Sequence, residues 1–220
     1  MKLHINIPDS LADITLEQYQ KFDKINTEEN KGSVFLMQKM VEIFCWVPLD
    51  LTRQIKYKDL VSIVEHINNL ITSEPDLITT FLLKGKQYGF IPNLDNITLG
   101  EYIDLDNYLG SWENMHKAMS VMYRPVTLKK GDRYVIEDYK GSIYQEEMLK
   151  SPLDVVISAM VFFYHLNKEL LNFTLKYLKK EMGENLSEDQ LKTLEKNGAG
   201  INQSLSSLTT ILNDLNISQN

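Results

Sequence analysis

Cysteine is nearly absent from this chain of 220 residues, and its single copy, Cys45, excludes an internal disulfide or a thiolate zinc cage. Within the apolar run VEIFCWVPL it reads as a buried, inert thiol. Basic residues are outnumbered, 23 Lys and Arg against 30 Asp and Glu, giving a formal charge of −7 and a pI near 5.2. That balance argues against a general nucleic-acid binder, because phosphate binding needs a basic surface that releases counterions. No apolar run reaches the roughly 18 to 20 residues that cross a bilayer. The most apolar window, LDVVISAMVFFYHL, is followed by Lys168 and Glu169 and reads as a buried core helix. The start, MKLHINIPDS, lacks the apolar core and small-residue cleavage site of a secretory signal, so export is not expected. The triplets Asn96-Ile97-Thr98 and Asn172-Phe173-Thr174 should then never meet a glycosylating enzyme.

Motifs that carry chemistry are missing too. The glycines are scattered, with no phosphate-cradling loop and no Gly-x-Ser-x-Gly elbow. His4, His66, His116 and His165 stand far apart without a metal-binding pair, and Glu65 faces away from its neighbour His66 on a helix. The acidic cluster Asp95, Glu101, Asp104, Asp106 and Glu113 has no Lys or Arg in its segment. Its DLDNYL stretch fails as a calcium loop: Tyr108 and Leu109 occupy the places of a ligand and the glycine, and Met115 replaces the closing glutamate. The cluster reads as a solvated acidic face, with a docking site for a basic partner or a wall repelling phosphate as sharper alternatives. No catalytic residue, cofactor or metal is expected, and the chain is read as not an enzyme.

Helix signals are abundant. ITLEQYQKFDKI from Ile14 is echoed by ITLGEYIDLDNY from Ile97; in each, a Thr stands three residues before Gln18 or Glu101, the spacing of a capping box, and Ile14/Tyr19 and Ile97/Tyr102 are spaced as hydrophobic staples. The echo reads either as an internal duplication or as repeated use of one capping device. Val34, Met37, Val41 and Phe44 mark one amphipathic helix, ended by Pro48, and Leu60, Val64, Ile67 and Ile71 mark a second. The stretch TSEPDLITTFLLKGKQYGFIPNLDN reads as a short helix or strand giving way to an exposed loop. The β signal lies in Val126 to Leu128 and Tyr134 to Ile136, flanking a turn at Gly131. Ser151 and Pro152 open the longest helix, Leu153 to about Lys180. Beyond it come a capping box at Ser187 and Gln190, a break at NGAG, and an apolar stripe from Ile201 to Leu215 that needs either its own domain or a neighbouring subunit. The expected architecture is mainly α, an irregular helical bundle with a small β-hairpin insertion near 126–144. Residues 1–180 form one mainly helical domain with a candidate sub-boundary near 85–96, and 181–220 form an acidic helical extension. A cut after Lys196 is expected to leave a folded body.

The segment WENMHKAMSVMYRP sets Trp112, Met115 or His116, Met119 and Met122 or Tyr123 on one side of a helix, a soft ridge suited to a core or to a protein–protein seam. Arg124 and the basic hairpin residues Lys129, Lys130 and Arg133 lie next to the acidic segment, so both signs stand close together. Trp112, Met119, Tyr123, Arg124, Lys129, Lys130 and Arg133 are therefore the candidate interface residues, and head-to-tail association of identical copies is the contact they suit.

GFIPNLDNITLGEYIDLDNYL, MHKAMSVMYRPV, YVIEDYKG and LDVVISAMVFFYHLNKELL resemble a block in structural-module proteins of tailed bacteriophages, the crAss-like phages of gut Bacteroidales. The resemblance spans roughly residues 88 to 178, and its Tyr-Arg-Pro core carries no catalytic meaning. It implies a ring or adaptor component of the head–tail junction or short tail, assembling as a homo-oligomer around the DNA channel. The partners it implies are other phage structural proteins, the portal or tail rings, without specific nucleic-acid or membrane binding. The place it implies is the virion, and the host cytoplasm during assembly. A tail assembly chaperone or a packaged cargo protein are the alternatives.

Overall fold

The computed structural model of the chain describes residues 5–182, 199–215 and 217. Helices hold most of them: α1 (Leu16–Asp23), α2 (Val34–Cys45), α3 (Leu49–Thr52), α4 (Tyr57–Ile71), α5 (Leu99–Tyr108), α6 (Met115–Met122), α7 (Gln145–Met148), α8 (Leu153–Met182) and α9 (Ala199–Asp214). Four strands, β1 (Thr80–Leu83), β2 (Lys86–Phe90), β3 (Tyr123–Lys130) and β4 (Arg133–Ile136), pair antiparallel in the order β1-β2-β3-β4. The fold is mainly helical with a small sheet.

Half of that sheet lies in the stretch expected as a short helix or strand giving way to an exposed loop: β1 is the strand alternative, and β2 continues the sheet where the loop is expected. The β1–β2 hairpin turns at Lys84-Gly85, both with positive φ (50° and 77°), the twist that joins antiparallel strands in two residues. Lysine in the first turn position conceals the signal that Asn or Gly would give. The second hairpin turns at Gly131 as expected, with φ 60°. Its first strand follows α6 without a loop, and residues 137–144 lie outside the strands.

Both Ile-Thr-Leu signals cap helices. The Gln18 N–H donates to Thr15 Oγ1 (3.3 Å) while the Thr15 N–H donates to Gln18 Oε1 (2.9 Å), and Glu101 and Thr98 repeat the exchange at 3.2 and 2.7 Å. Ser33 caps α2 by accepting from the Leu36 N–H. That helix stops at Cys45, where Trp46 turns left-handed (φ 57°), before Pro48 is reached. Its buried residues are Leu36, Met40, Val41, Phe44 and Cys45, whereas Val34 is exposed. In α4, Leu60, Val64, Ile67 and Ile71 are all buried, as their spacing predicts.

The spine is α8. From Leu153 to Val161 nearly every residue is buried, because this stretch is enclosed by other elements. Phe162 and Phe163 meet Phe90 of β2 at ring-centroid distances of 5.4 and 5.9 Å, and α1 and α9 lie against the same helix. Its start is stitched to that of α1: the Leu16 N–H donates to the Ser151 carbonyl (2.9 Å) and the Leu153 N–H to the Ile14 carbonyl (2.8 Å). Leu208, Ile211, Leu212 and Leu215 of the C-terminal segment are buried in the common core. These four residues of the apolar stripe are thus covered by their own chain, so a cut after Lys196 removes part of the core of the body it is expected to leave folded. The capping box at Ser187 and Gln190, His4, and Asn197 and Gly198 of the NGAG break lie outside the described residues. Among the described residues, no helix is long and apolar enough to cross a membrane.

Candidate functional site

The aromatic and methionine ridge faces inward. Trp112, Met115, Met119, Met122 and Tyr123 are all buried, because α6 is flanked by α5, α7 and β3. The Trp112 ring lies 4.2 Å from that of Tyr19, and its carbonyl accepts from Gln20 Nε2 (2.6 Å), which ties α1 to the start of α6. The Tyr123 hydroxyl donates to the Ile78 carbonyl (2.7 Å). Of the seven interface candidates, Trp112, Met119, Tyr123 and Arg124 are therefore core residues within one chain. Lys129, Lys130 and Arg133 are exposed at the end of the β3–β4 hairpin.

Arg124 supplies the cation that the acidic segment lacks in sequence. Its Nη1 lies 2.6 Å from Glu101 Oε1, with Glu101 only 3% and Arg124 7% exposed. The other Glu101 oxygen accepts from Thr98, and the guanidinium lies over the Tyr139 ring at 5.6 Å. Burial by itself raises the Glu101 pKa, but the Thr98 hydrogen bonds and the Arg124 charge outweigh it and hold the carboxyl below its ordinary value. Glu101 is thus not part of a solvated face. A carboxylate held ionised in this way is poorly matched to proton transfer near neutral pH, and its evident work is to lock α5 to β3.

Beside the pair opens a cavity of about 400 Å³, lined among others by Asn93, Glu137, Asp138 and Tyr139. The segment after β4 is strapped down by phenol–carboxylate bonds, Tyr139 to Asp104, Tyr144 to Glu137 (2.5 Å) and Tyr88 to Glu147. The Glu137 carboxylate pushes the Tyr144 phenol up to about 12. Sequence reading misses this group, since no periodicity links Tyr139 or Arg124 to the acids of α5. The tyrosines of YVIEDYKGSIY, alternating with acids, were the available signal.

Two surface features complete the picture. On the β3–β4 hairpin, Leu128 pairs with Val135 and Lys130 with Arg133. Elsewhere, Trp46 is 67% exposed beside Ile43 and Ile25. The described histidines are dispersed: His66 Nε2 contacts the Pro8 carbonyl (2.9 Å), His116 Nδ1 contacts Gln20 (3.2 Å) and His165 faces Glu74 (3.7 Å). Among the described residues, no group of three or more His, Cys, Asp or Glu is placed to hold a metal ion. No protein-family model, curated protein or solved structure matches this chain.

Proposed function

We propose that the protein is a non-enzymatic structural part of a tailed-phage virion, a ring or adaptor component of the head–tail junction or short tail that assembles in multiple copies. The observation that carries the association reading is the large apolar side chains left in water by a body that otherwise buries its core: Trp46, Leu82, Leu128 and Val135 are exposed. Exposed apolar groups of this kind gain by being covered by another protein surface. Glu101 and Arg124, the buried charged pair, are engaged with each other in holding α5 to β3. The phage assignment rests on the resemblance across residues 88 to 178, and the formal charge of −7 suits a component near channel DNA that must not adhere to it.

Mass spectrometry of purified particles tests the reading. A ring or adaptor is present at fixed copy number in particles before and after DNA ejection. Absence from particles assigns the protein to assembly chaperones, and loss on ejection assigns it to cargo. Arg124→Ala should damage folding or assembly; a folded, assembling variant that lost a specific hydrolytic or transfer activity would overturn the non-enzymatic reading.

A further inference from the structure

Another cavity, of about 360 Å³, opens where α1, α2, α4 and the end of α9 come together. Small-molecule pockets run from roughly 300 to 1,000 Å³ and are mostly apolar with a few polar groups, and this one has that composition. Phe22, Met40, Val64, Ile71 and Leu215 supply apolar wall. Tyr19 stands in the same wall, only 3% exposed. Its hydroxyl meets no hydrogen-bond partner among the described residues, yet it is not sealed from solvent, so it opens into the cavity. A tyrosine buried to this extent ordinarily finds a partner for its hydroxyl.

The mouth of this cavity favours one sign of charge. Three helices end at it, α1 at Asp23, α4 at Ile71 and α9 at Asp214, so three negative dipole ends converge against the single N-terminus of α2. Cations belong at such ends, but two of the three carry carboxylates. Burial, and after it the charges of Asp23 and Asp214, raise the Tyr19 pKa, which places both carboxylates around its hydroxyl. Neither carboxylate forms an ion pair among the described residues. Lys31, the one cation of the lining, pairs with Glu28, and Asp214 acts on it less.

Carboxylates, helix C-termini and a free phenol oxygen can all accept hydrogen bonds; what they lack is a positively charged donor. The apolar wall behind them suits hydrocarbon and not a bare, hydrated ion. We infer that the cavity binds a small organic amine, its ammonium between the Tyr19 hydroxyl and Asp214 and its hydrocarbon part against Met40, Val64 and Leu215. Such a ligand also relieves the repulsion between Asp23 and Asp214. The site is independent of the virion reading, which presence in particles decides separately.

Isothermal titration of the full chain with hexylamine is the test. One equivalent should bind about tenfold more tightly than hexan-1-ol, and hexanoate should not bind. From butylamine to hexylamine each methylene should tighten binding about fourfold, because it is buried against the apolar wall. Tyr19→Phe keeps the ring, removes only the hydroxyl and should weaken hexylamine about tenfold. Asp214→Asn, at an exposed position, should remove most of the preference for the amine over the alcohol. Asn68→Trp, exposed in α4 and part of the lining, plugs the mouth and should abolish binding of both. Circular dichroism checks that the variants fold, and the ligand series on the wild type stands whether or not they do. Failure of hexylamine to bind, or binding no tighter than that of hexan-1-ol, overturns the inference. Hexylamine binding that survives both Asn68→Trp and Asp214→Asn unchanged also overturns it, since the amine then sits elsewhere on an acidic surface.

Discussion

Glu101 and Arg124 show what one buried pair contributes and what it costs. Taking both charges out of water is expensive, so the pair adds little net stability, but removing one partner strands the other and costs about 3–5 kcal/mol. Glu101→Gln isolates the charge, because glutamine can keep the exchange with Thr98, as Gln18 does with Thr15. Urea unfolding should find Glu101→Gln and Arg124→Met each destabilised by about that amount, with the double variant well short of their sum. The same pair sets an acid limit. Since the folded Glu101 pKa lies below the ordinary 4.5, the unfolded chain takes up this proton first. The stabilisation is complete above the ordinary value and is lost as pH falls through the lower folded one. Thermal unfolding below pH 4.5 should therefore fall more steeply for the wild type than for Glu101→Gln. Equal slopes would show that the pair is not the acid-sensitive element.

Among the elements, α1 and α9 meet with a mismatch at their ends. Asp23 closes α1 and Asp214 closes α9, each carboxylate at the negative end of a helix dipole. Burial, and after it the Asp214 charge, raises the Asp23 pKa. Ionised Asp23 therefore opposes folding, and Asp23→Asn should add about 0.5–1 kcal/mol at neutral pH. In a chain of this size that is roughly 2–4 °C in midpoint per kcal/mol, measurable by calorimetry. The sign is opposite to that of Glu101: the gain is present at neutral pH and vanishes in acid below the ordinary value of 3.8. What was legible in the sequence at this scale was local. The capping boxes at Thr15 and Thr98, the α4 stripe and the Gly131 turn need only neighbours three or four residues away. Their second partners were not legible: Gln18 also donates to the Ile43 carbonyl and Glu101 also meets Arg124, contacts that only the folded chain brings together. WENMHKAMSVMYRP reads as helical as far as Tyr123, yet β3 begins at Tyr123. A signal was there, because Pro125 biases Arg124 to extended backbone and so ends a helix ahead of it. Where sequence reading puts Trp112, Met119 and Tyr123 on an interface, residue type alone does not separate a core from a seam, since both favour aromatics and methionine.

For the whole molecule, the deciding question is whether α9 belongs to the body. Leu208, Ile211, Leu212 and Leu215 say that it does, as does a close approach at Gly110. A Cβ on Gly110 would lie 2.6 Å from the Cβ of Ser207, closer than real contacts come, so glycine in the loop between α5 and α6 is what lets α9 settle. Leu212→Ala should cost about 2–5 kcal/mol, the range for a buried leucine in a packed core. Ending the chain after Lys196 should lower the unfolding midpoint and expose core surface to a hydrophobic dye, because Tyr19, Met40 and Val64, which line a cavity together with Leu215, lose part of their cover. The two observations can be crossed. In the full chain, Gly110→Ala must push α9 away and destabilise; in the chain ending at Lys196 nothing stands at that Cβ, and the same substitution should be close to neutral. The difference between the two effects, measured by urea unfolding, is the coupling between the loop and α9. An equal penalty in both chains would mean that Gly110 is needed for its own loop and that α9 does not rest on it.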